Sequence, residues 1–165
     1  AKPLSWIGSV YIPADVLMAD AACHPVVIEP DAFCHGEPLE PLSISPQHRV
    51  LVKSWQAELV CGEPDVLIAA KHLVDLGLAR QASPREMAGG VRYWHLLFDQ
   101  HEIVVSNGLP TESFRPGPEA VKALDHATAA ELRKFFPDID VHMVGLVSAR
   151  YLATRNEARL ILNRH

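Results

Sequence analysis

The sequence has few cysteines, no long charged tract and no long apolar run. Its 165 residues include three cysteines, Cys23, Cys34 and Cys61, and an odd count without a Cys-x-x-Cys motif argues against a disulfide framework. Apolar runs such as Val66–Ala70 are far shorter than the roughly 20 residues that a membrane-spanning helix needs. The first residues carry no signal-peptide pattern, which leaves the compartment of the protein open.

A basic surface is also missing. The formal net charge is −5, which argues against nucleic-acid binding, because contacts to phosphates need a patch of lysine and arginine. Hydrophobic residues make up 48% of the chain, enough for an ordinary core. A chain of this length is expected to form one domain with a small appendage.

Thirteen prolines divide the first two thirds into short segments, a rhythm typical of many short strands. The predicted strands are Leu4–Ile12, Pro25–Pro30, Leu42–Ser45, His48–Lys53, Val91–Phe98 and Glu102–Ser106. The last two are expected to form a hairpin through residues 99–101. Asn107-Gly108 predicts a tight turn and Ala82–Gly90 a loop. Val66–Gly77 is ambiguous, because Val66–Ile68 is typical of a strand and Ala69–Leu76 of one or two helical turns.

The composition turns helical after about Gly117. Thr128-Ala-Ala-Glu131 resembles a capping box whose helix Pro137 would end, and Thr154-Arg-Asn-Glu157 repeats the device. The sequence therefore predicts a mostly β body over residues 1–117 and a short helical tail over residues 118–165.

Two stretches carry a family resemblance. The first is Leu42–Val52, which contains Ser45-Pro-Gln-His48, and the second runs from Tyr93 through His95, His101 and Gly108. Their order and spacing resemble those of bacterial Hint (Hedgehog/intein-type) autoprocessing domains, which have a Thr-x-x-His block and, later, a Tyr-x-(Asp or His) strand followed by a His-x-φ-φ-x-x-Gly strand, φ being apolar. The resemblance covers about Leu4–Phe114 and implies a horseshoe-like body of short strands.

The resemblance also implies a chemistry for three residues. Hint domains cut themselves when their first residue, usually cysteine, attacks the preceding carbonyl, and the departing amide nitrogen must be protonated. His48 matches the position of the acid–base histidine, and Ser45 that of a hydroxyl that binds the scissile carbonyl or orients the strand. His95 matches a second group that activates the nucleophile. No cofactor or metal is implied.

The sequence departs from the family at its start, because no Cys-led segment stands before Leu4-Ser-Trp-Ile-Gly8. We therefore expect this chain not to cleave by itself. The missing segment has been cut off, docks in trans, or is absent from a degenerate relative. The expected partner is the flanking polypeptide or a complementary N-terminal fragment, and open strand edges also predict dimerisation.

Other interpretations of the same residues stay open. His48 also fits a histidine bonded to backbone, and Ser45 an ordinary turn residue. The dipeptides Cys23-His24 and Cys34-His35 contain zinc-ligand types, although adjacent strand residues face opposite ways. Asn107 lacks a following Cys, Ser or Thr, so splicing is not predicted. The alternative function is a non-catalytic interaction module, stabilised by metal in one version.

Overall fold

The computed structural model describes residues 2–33, 36–115, 126–135 and 147–162. Strands and helices each take about a third of the described residues. The prediction of a mostly β fold is therefore wrong in its proportions, because the fold is mixed α/β with several small sheets. The cause is a set of short helices that connect the strands.

Ten strands and six helices are assigned within the described residues. The strands are β1 (Trp6–Ile12), β2 (Val26–Ile28), β3 (Leu42–Ile44), β4 (Arg49–Lys53), β5 (Asp65–Ala69), β6 (Arg80–Gln81), β7 (Val91–Leu97), β8 (Ile103–Ser106), β9 (Leu109–Glu112) and β10 (Tyr151–Ala153). The helices are α1 (Ala14–Ala19), α2 (Trp55–Cys61), α3 (Ala70–Asp75), α4 (Pro84–Met87), α5 (His126–Phe135) and α6 (Arg155–Leu162).

The strands form three sheets. The largest has the order β10-β5-β4-β9-β8, a second has β3-β2-β6, and β1 and β7 pair as a two-stranded sheet. All pairs are antiparallel except β10 with β5, which is parallel. Proline bounds several strands as predicted: β1 ends before Pro13, and β2 lies between Pro25 and Pro30.

The predicted hairpin between the strands Val91–Phe98 and Glu102–Ser106 is wrong. β7 pairs along its whole length with β1, and β8 pairs instead with β9. The turn between β8 and β9 is Asn107-Gly108, whose φ angles are +50° and +85°, as predicted for residues that tolerate positive φ. The chain therefore changes sheets between β7 and β8, which the local pattern did not indicate.

Three short helices were not predicted. The Ser54 hydroxyl accepts from the Ala57 N–H at the start of α2, and Gly62, with φ of +73°, ends that helix. Inside the predicted Ala82–Gly90 loop, Ser83 and Glu86 form a reciprocal capping box for α4. Among the described residues, no helix is both long and apolar enough to cross a membrane.

The main core lies around β4 and β5. Val66, Leu67 and Ile68 of β5 are fully buried, because the strand is central in its sheet and covered on both faces. Its cluster reaches from Val26 in β2 to Ile161 in α6. The ambiguous Val66–Gly77 segment thus contains both predicted structures, a strand followed directly by α3.

The C-terminal segment is more than a helical tail. β10 adds a parallel strand beside β5, and the predicted Thr154–Glu157 capping box begins α6, with Thr154 N–H donating to Glu157 at 2.7 Å. The other predicted box is wrong, because Thr128 lies inside α5 and its hydroxyl donates to the Ser9 carbonyl oxygen at 3.3 Å. Pro137 lies outside the described residues, and the division after residue 117 stays a prediction.

Candidate active site

The Ser45-Pro-Gln-His48 segment forms a tight turn just before β4. The His48 N–H donates to the Ser45 carbonyl oxygen at 3.0 Å. The start of α3 holds the turn from the other side: Ala70 N–H donates to the His48 carbonyl oxygen at 2.8 Å, and Lys71 N–H to that of Pro46 at 3.0 Å. These backbone bonds fix the position from which the His48 side chain leaves the chain.

One nitrogen of the His48 ring, Nε2, is buried. Nε2 has no hydrogen-bond partner among the described residues. Burial lowers the pKa of His48; Glu112 opposes that effect, whereas Arg49 and His101 add to it. A buried polar atom without a partner costs about 1–3 kcal/mol, so this nitrogen is available, within the described residues, to donate or accept a hydrogen bond.

His95 lies near His48 on the inner face of the two-stranded sheet. Its ring packs on Phe114, with centroids 4.5 Å apart. Burial lowers the pKa of His95 to about 4, and the neighbouring His48 adds to this effect. Opposite His95 in the register stands Gly8, where a Cβ would lie 2.0 Å from the Trp6 ring. Glycine therefore allows that ring to cover β1 beside His95.

The structure brings the three predicted site residues into one region. Ser45 and His48 share the turn, and His95 lies within electrostatic range of His48. Ser45 is half-buried and contributes its carbonyl oxygen to the turn. Their catalytic roles stay predictions.

A buried carboxylate adjoins this region and was not predicted as part of the site. Glu112 Oε1 accepts from the Arg49 backbone N–H at 3.0 Å and from Arg49 Nη1 at 3.2 Å. Glu112 Oε2 lies 3.3 Å from His101 Nε2, without the geometry of a full hydrogen bond. Burial raises the pKa of Glu112, but His101, Arg49 and His48 together outweigh it, so the pKa is lowered.

One signal in the sequence could have identified this carboxylate. Glu112 ends the short strand Leu109–Glu112, which pairs with β8. An acid at such a position in a packed sheet is buried and therefore requires a cationic or hydrogen-bonding partner. Its partners are 63 and 11 residues away in the chain, so the sequence alone did not identify them.

Neither of the two described cysteines is an activated nucleophile. Burial and Asp20 raise the pKa of the Cys23 thiol, whose Sγ lies 3.5 Å from Asp20 Oδ2. Burial and Glu157 raise that of Cys61. A raised thiol pKa leaves less of the reactive thiolate at neutral pH.

The zinc interpretation concerns residues that the structure covers only in part. Across the described ranges, no three His, Cys, Asp or Glu side chains are grouped to hold a metal ion. His24 Nε2 lies 2.8 Å from the Leu17 carbonyl oxygen, and Cys34 and His35 lie outside the described residues.

Comparison with known protein families identifies a match over most of the chain. Residues 1–118 match the family model described as the Hint domain, which covers more than two thirds of the chain and includes Ser45, His48, His95 and Glu112. No curated protein and no solved structure matches the chain. The matched region contains the whole candidate site, and the chain belongs to the Hint domain family.

Proposed function

We propose that this Hint domain takes part in self-catalysed cleavage of a peptide bond through an N-to-S acyl shift. The observation that carries the proposal is the buried, unpaired Nε2 of His48 beside a second histidine, His95. In this reaction a thiol attacks the carbonyl carbon of the preceding residue. A C–S bond forms, the C–N bond breaks, and one proton moves from sulfur to the departing nitrogen.

The two rings suit that proton transfer. Burial lowers the pKa of both, so both are neutral near pH 7. A neutral imidazole has one nitrogen that accepts and one that donates. We propose that His95 takes the thiol proton, that this proton passes to the neighbouring His48, and that His48, then protonated, gives it to the leaving nitrogen, so that both rings end neutral. The net charge of the pair is then the same before and after the shift.

The attacking thiol belongs to a partner segment in this proposal. Cys23 and Cys61 have raised pKa values, because burial and the acidic groups Asp20 and Glu157 disfavour their thiolates. We propose that a Cys-led segment, supplied by the flanking polypeptide or by a complementary fragment, brings the nucleophile. Ser45 orients the scissile carbonyl, and water or another nucleophile then resolves the thioester.

The test is the intact mass of the product of the complete gene. Wild type is expected to give a cleaved product, and His48→Ala a longer, uncut chain. His72→Ala is the matched control, because His72 also has a buried, unpaired ring nitrogen and a lowered pKa but lies on α3. Equal cleavage in wild type and His48→Ala would contradict the proposal.

A second candidate function is a non-catalytic interaction module. The observation that favours it is the outer face of the two-stranded sheet, where Ile7, Tyr11 and Trp94 are 50%, 48% and 63% exposed. Exposed apolar groups on one face are typical of docking surfaces. An uncut wild-type product from the complete gene would favour this function over autoprocessing.

A further inference from the structure

The peptide bond between His48 and Arg49 is held at both ends. Its carbonyl oxygen accepts from the Ala70 N–H at 2.8 Å, and its N–H donates to Glu112 Oε1 at 3.0 Å. The first bond is backbone to backbone, between the turn before β4 and the start of α3. The second uses a side chain, and hydrogen bonds to a charged carboxylate are about twice as strong as neutral ones.

Glu112 bonds Arg49 where a backbone carbonyl would be the ordinary partner. Val50 pairs with Thr111 in the register of β4 and β9, so Arg49 stands opposite Glu112. The Arg49 N–H bonds the Glu112 side chain, whose same oxygen also accepts from Arg49 Nη1 at 3.2 Å. A buried carboxylate costs more to desolvate than a backbone carbonyl, so a requirement for sheet pairing alone does not explain its presence.

The other oxygen of Glu112 faces a fully buried histidine. His101 Nδ1 accepts from the Ala149 N–H at 2.9 Å, which places the ring proton on Nε2, towards Glu112 Oε2 at 3.3 Å. Ala149 lies beyond the matched residues 1–118. A continuous set of contacts therefore runs from the C-terminal segment through His101 and Glu112 to the peptide bond of His48.

We propose that Glu112 is a positioning residue for His48: its carboxylate holds the His48–Arg49 peptide bond and is itself held by His101, which the Ala149 backbone fixes. The importance of this role for cleavage rests on the proposed function, whereas the positioning itself does not. The proposal also gives the C-terminal segment a role, because its Ala149 N–H donates the hydrogen bond that fixes the His101 ring.

The experiment is an NMR titration of the histidine Cε1–H signals in the 165-residue chain. Four groups act on His48: Arg49 from β4, Glu112 from β9, His101 from the loop before β8, and His95 from β7. Glu112→Gln removes the negative charge that favours protonated His48, so its pKa should fall below the wild-type value.

The sign of the shift separates positioning from general loosening. If Glu112 only stabilised the fold, Glu112→Gln would admit water, and the His48 pKa would rise towards the ordinary value for histidine. Glu102→Gln is the matched control: Glu102 pairs with the exposed Lys2, and its loss should leave His48 unchanged. Unchanged or raised His48 pKa in Glu112→Gln would overturn the proposal.

A further variant keeps the proposal testable if Glu112→Gln does not fold. Glu112→Asp keeps the charge and should hold the His48 pKa near its wild-type value; a His48 pKa shifted by this variant overturns the proposal. The titration requires no cleavage. An uncut product in the mass experiment would therefore end the autoprocessing proposal without changing the titration.

Discussion

Two arginine–glutamate clusters in this molecule differ in their environment. On the surface, Arg80 bonds Glu29 at 2.9 Å and both oxygens of Glu86 at 2.9 Å. Their side chains are 43–50% exposed. Beside the candidate site, the Glu112 side chain is only 9% exposed, and its partner Arg49 30%.

The difference shows why the distance between two charged groups is a poor guide to how much their contact contributes to stability. Hydrogen bonds from Arg80 and Ser83 lower the pKa of the exposed Glu86 to about 2, yet water would replace those partners if they were removed. The buried Glu112 keeps a lowered pKa although burial opposes it. When one member of a buried ion pair is removed, water cannot replace it as a partner of the remaining group. The loss of stability is therefore larger than for an exposed pair.

The largest effect that we expect from this comparison is that of Glu112→Ala. It leaves the Arg49 N–H without its acceptor and removes the carboxylate that faces the buried His101 Nε2, which should lower the free energy of unfolding by about 3 kcal/mol. Urea denaturation followed by circular dichroism measures this. Glu102→Ala serves as control, and a loss for Glu112→Ala no larger than that of the control would show that the buried cluster is energetically equivalent to a surface pair.

A smaller effect concerns pH. The folded pKa of His95 is about 4, below its unfolded value near 6.5, so between these values the unfolded state binds more protons. The contribution of neutral His95 to the free energy of unfolding is fully present above pH 6.5 and is lost as the pH falls towards 4. His95→Gln should remove on the order of 2 kcal/mol of that loss. Thermal unfolding at pH 7 and pH 5 compares the variants, and an unaltered pH slope in His95→Gln would place that ring in a solvated setting.

The smallest effect is expected for Arg80→Ala. Its guanidinium is exposed, so Glu29 and Glu86 regain water when it is removed. The unfolding midpoint in urea should stay within error of wild type, and any small loss should vanish at high salt because exposed charges are screened. A loss as large as that of Glu112→Ala would refute the distinction between the two clusters.

The sequence predicted local structure better than pairing. Prolines marked the ends of β1 and β2, and Asn107-Gly108 marked its turn, because these residues restrict or permit φ by themselves. The partner of β7 is β1, which begins 85 residues earlier (91 minus 6). No local pattern specifies such a distant partner, so the predicted hairpin with the next strand along the chain is wrong.

The candidate site shows the same limit. Ser45 and His48 are three residues apart, so the turn that joins them is visible in the sequence, and the family resemblance directed attention to His95. The role of Glu112 depends on its contacts with Arg49 and His101, which only the folded sheet brings close to it. The short helices were missed because each is defined by one or two capping residues rather than by a long periodic pattern.

The parallel pairing of β10 with β5 has a consequence for the matched region taken alone. β5 is Asp65–Ala69, and three of its central side chains are fully buried. A chain ending at residue 118 would lack β10 and expose the backbone of this apolar strand as a free edge. Such edges recruit strands from other molecules, so the shortened chain is expected to aggregate, and residues 151–153 act as a barrier against self-association.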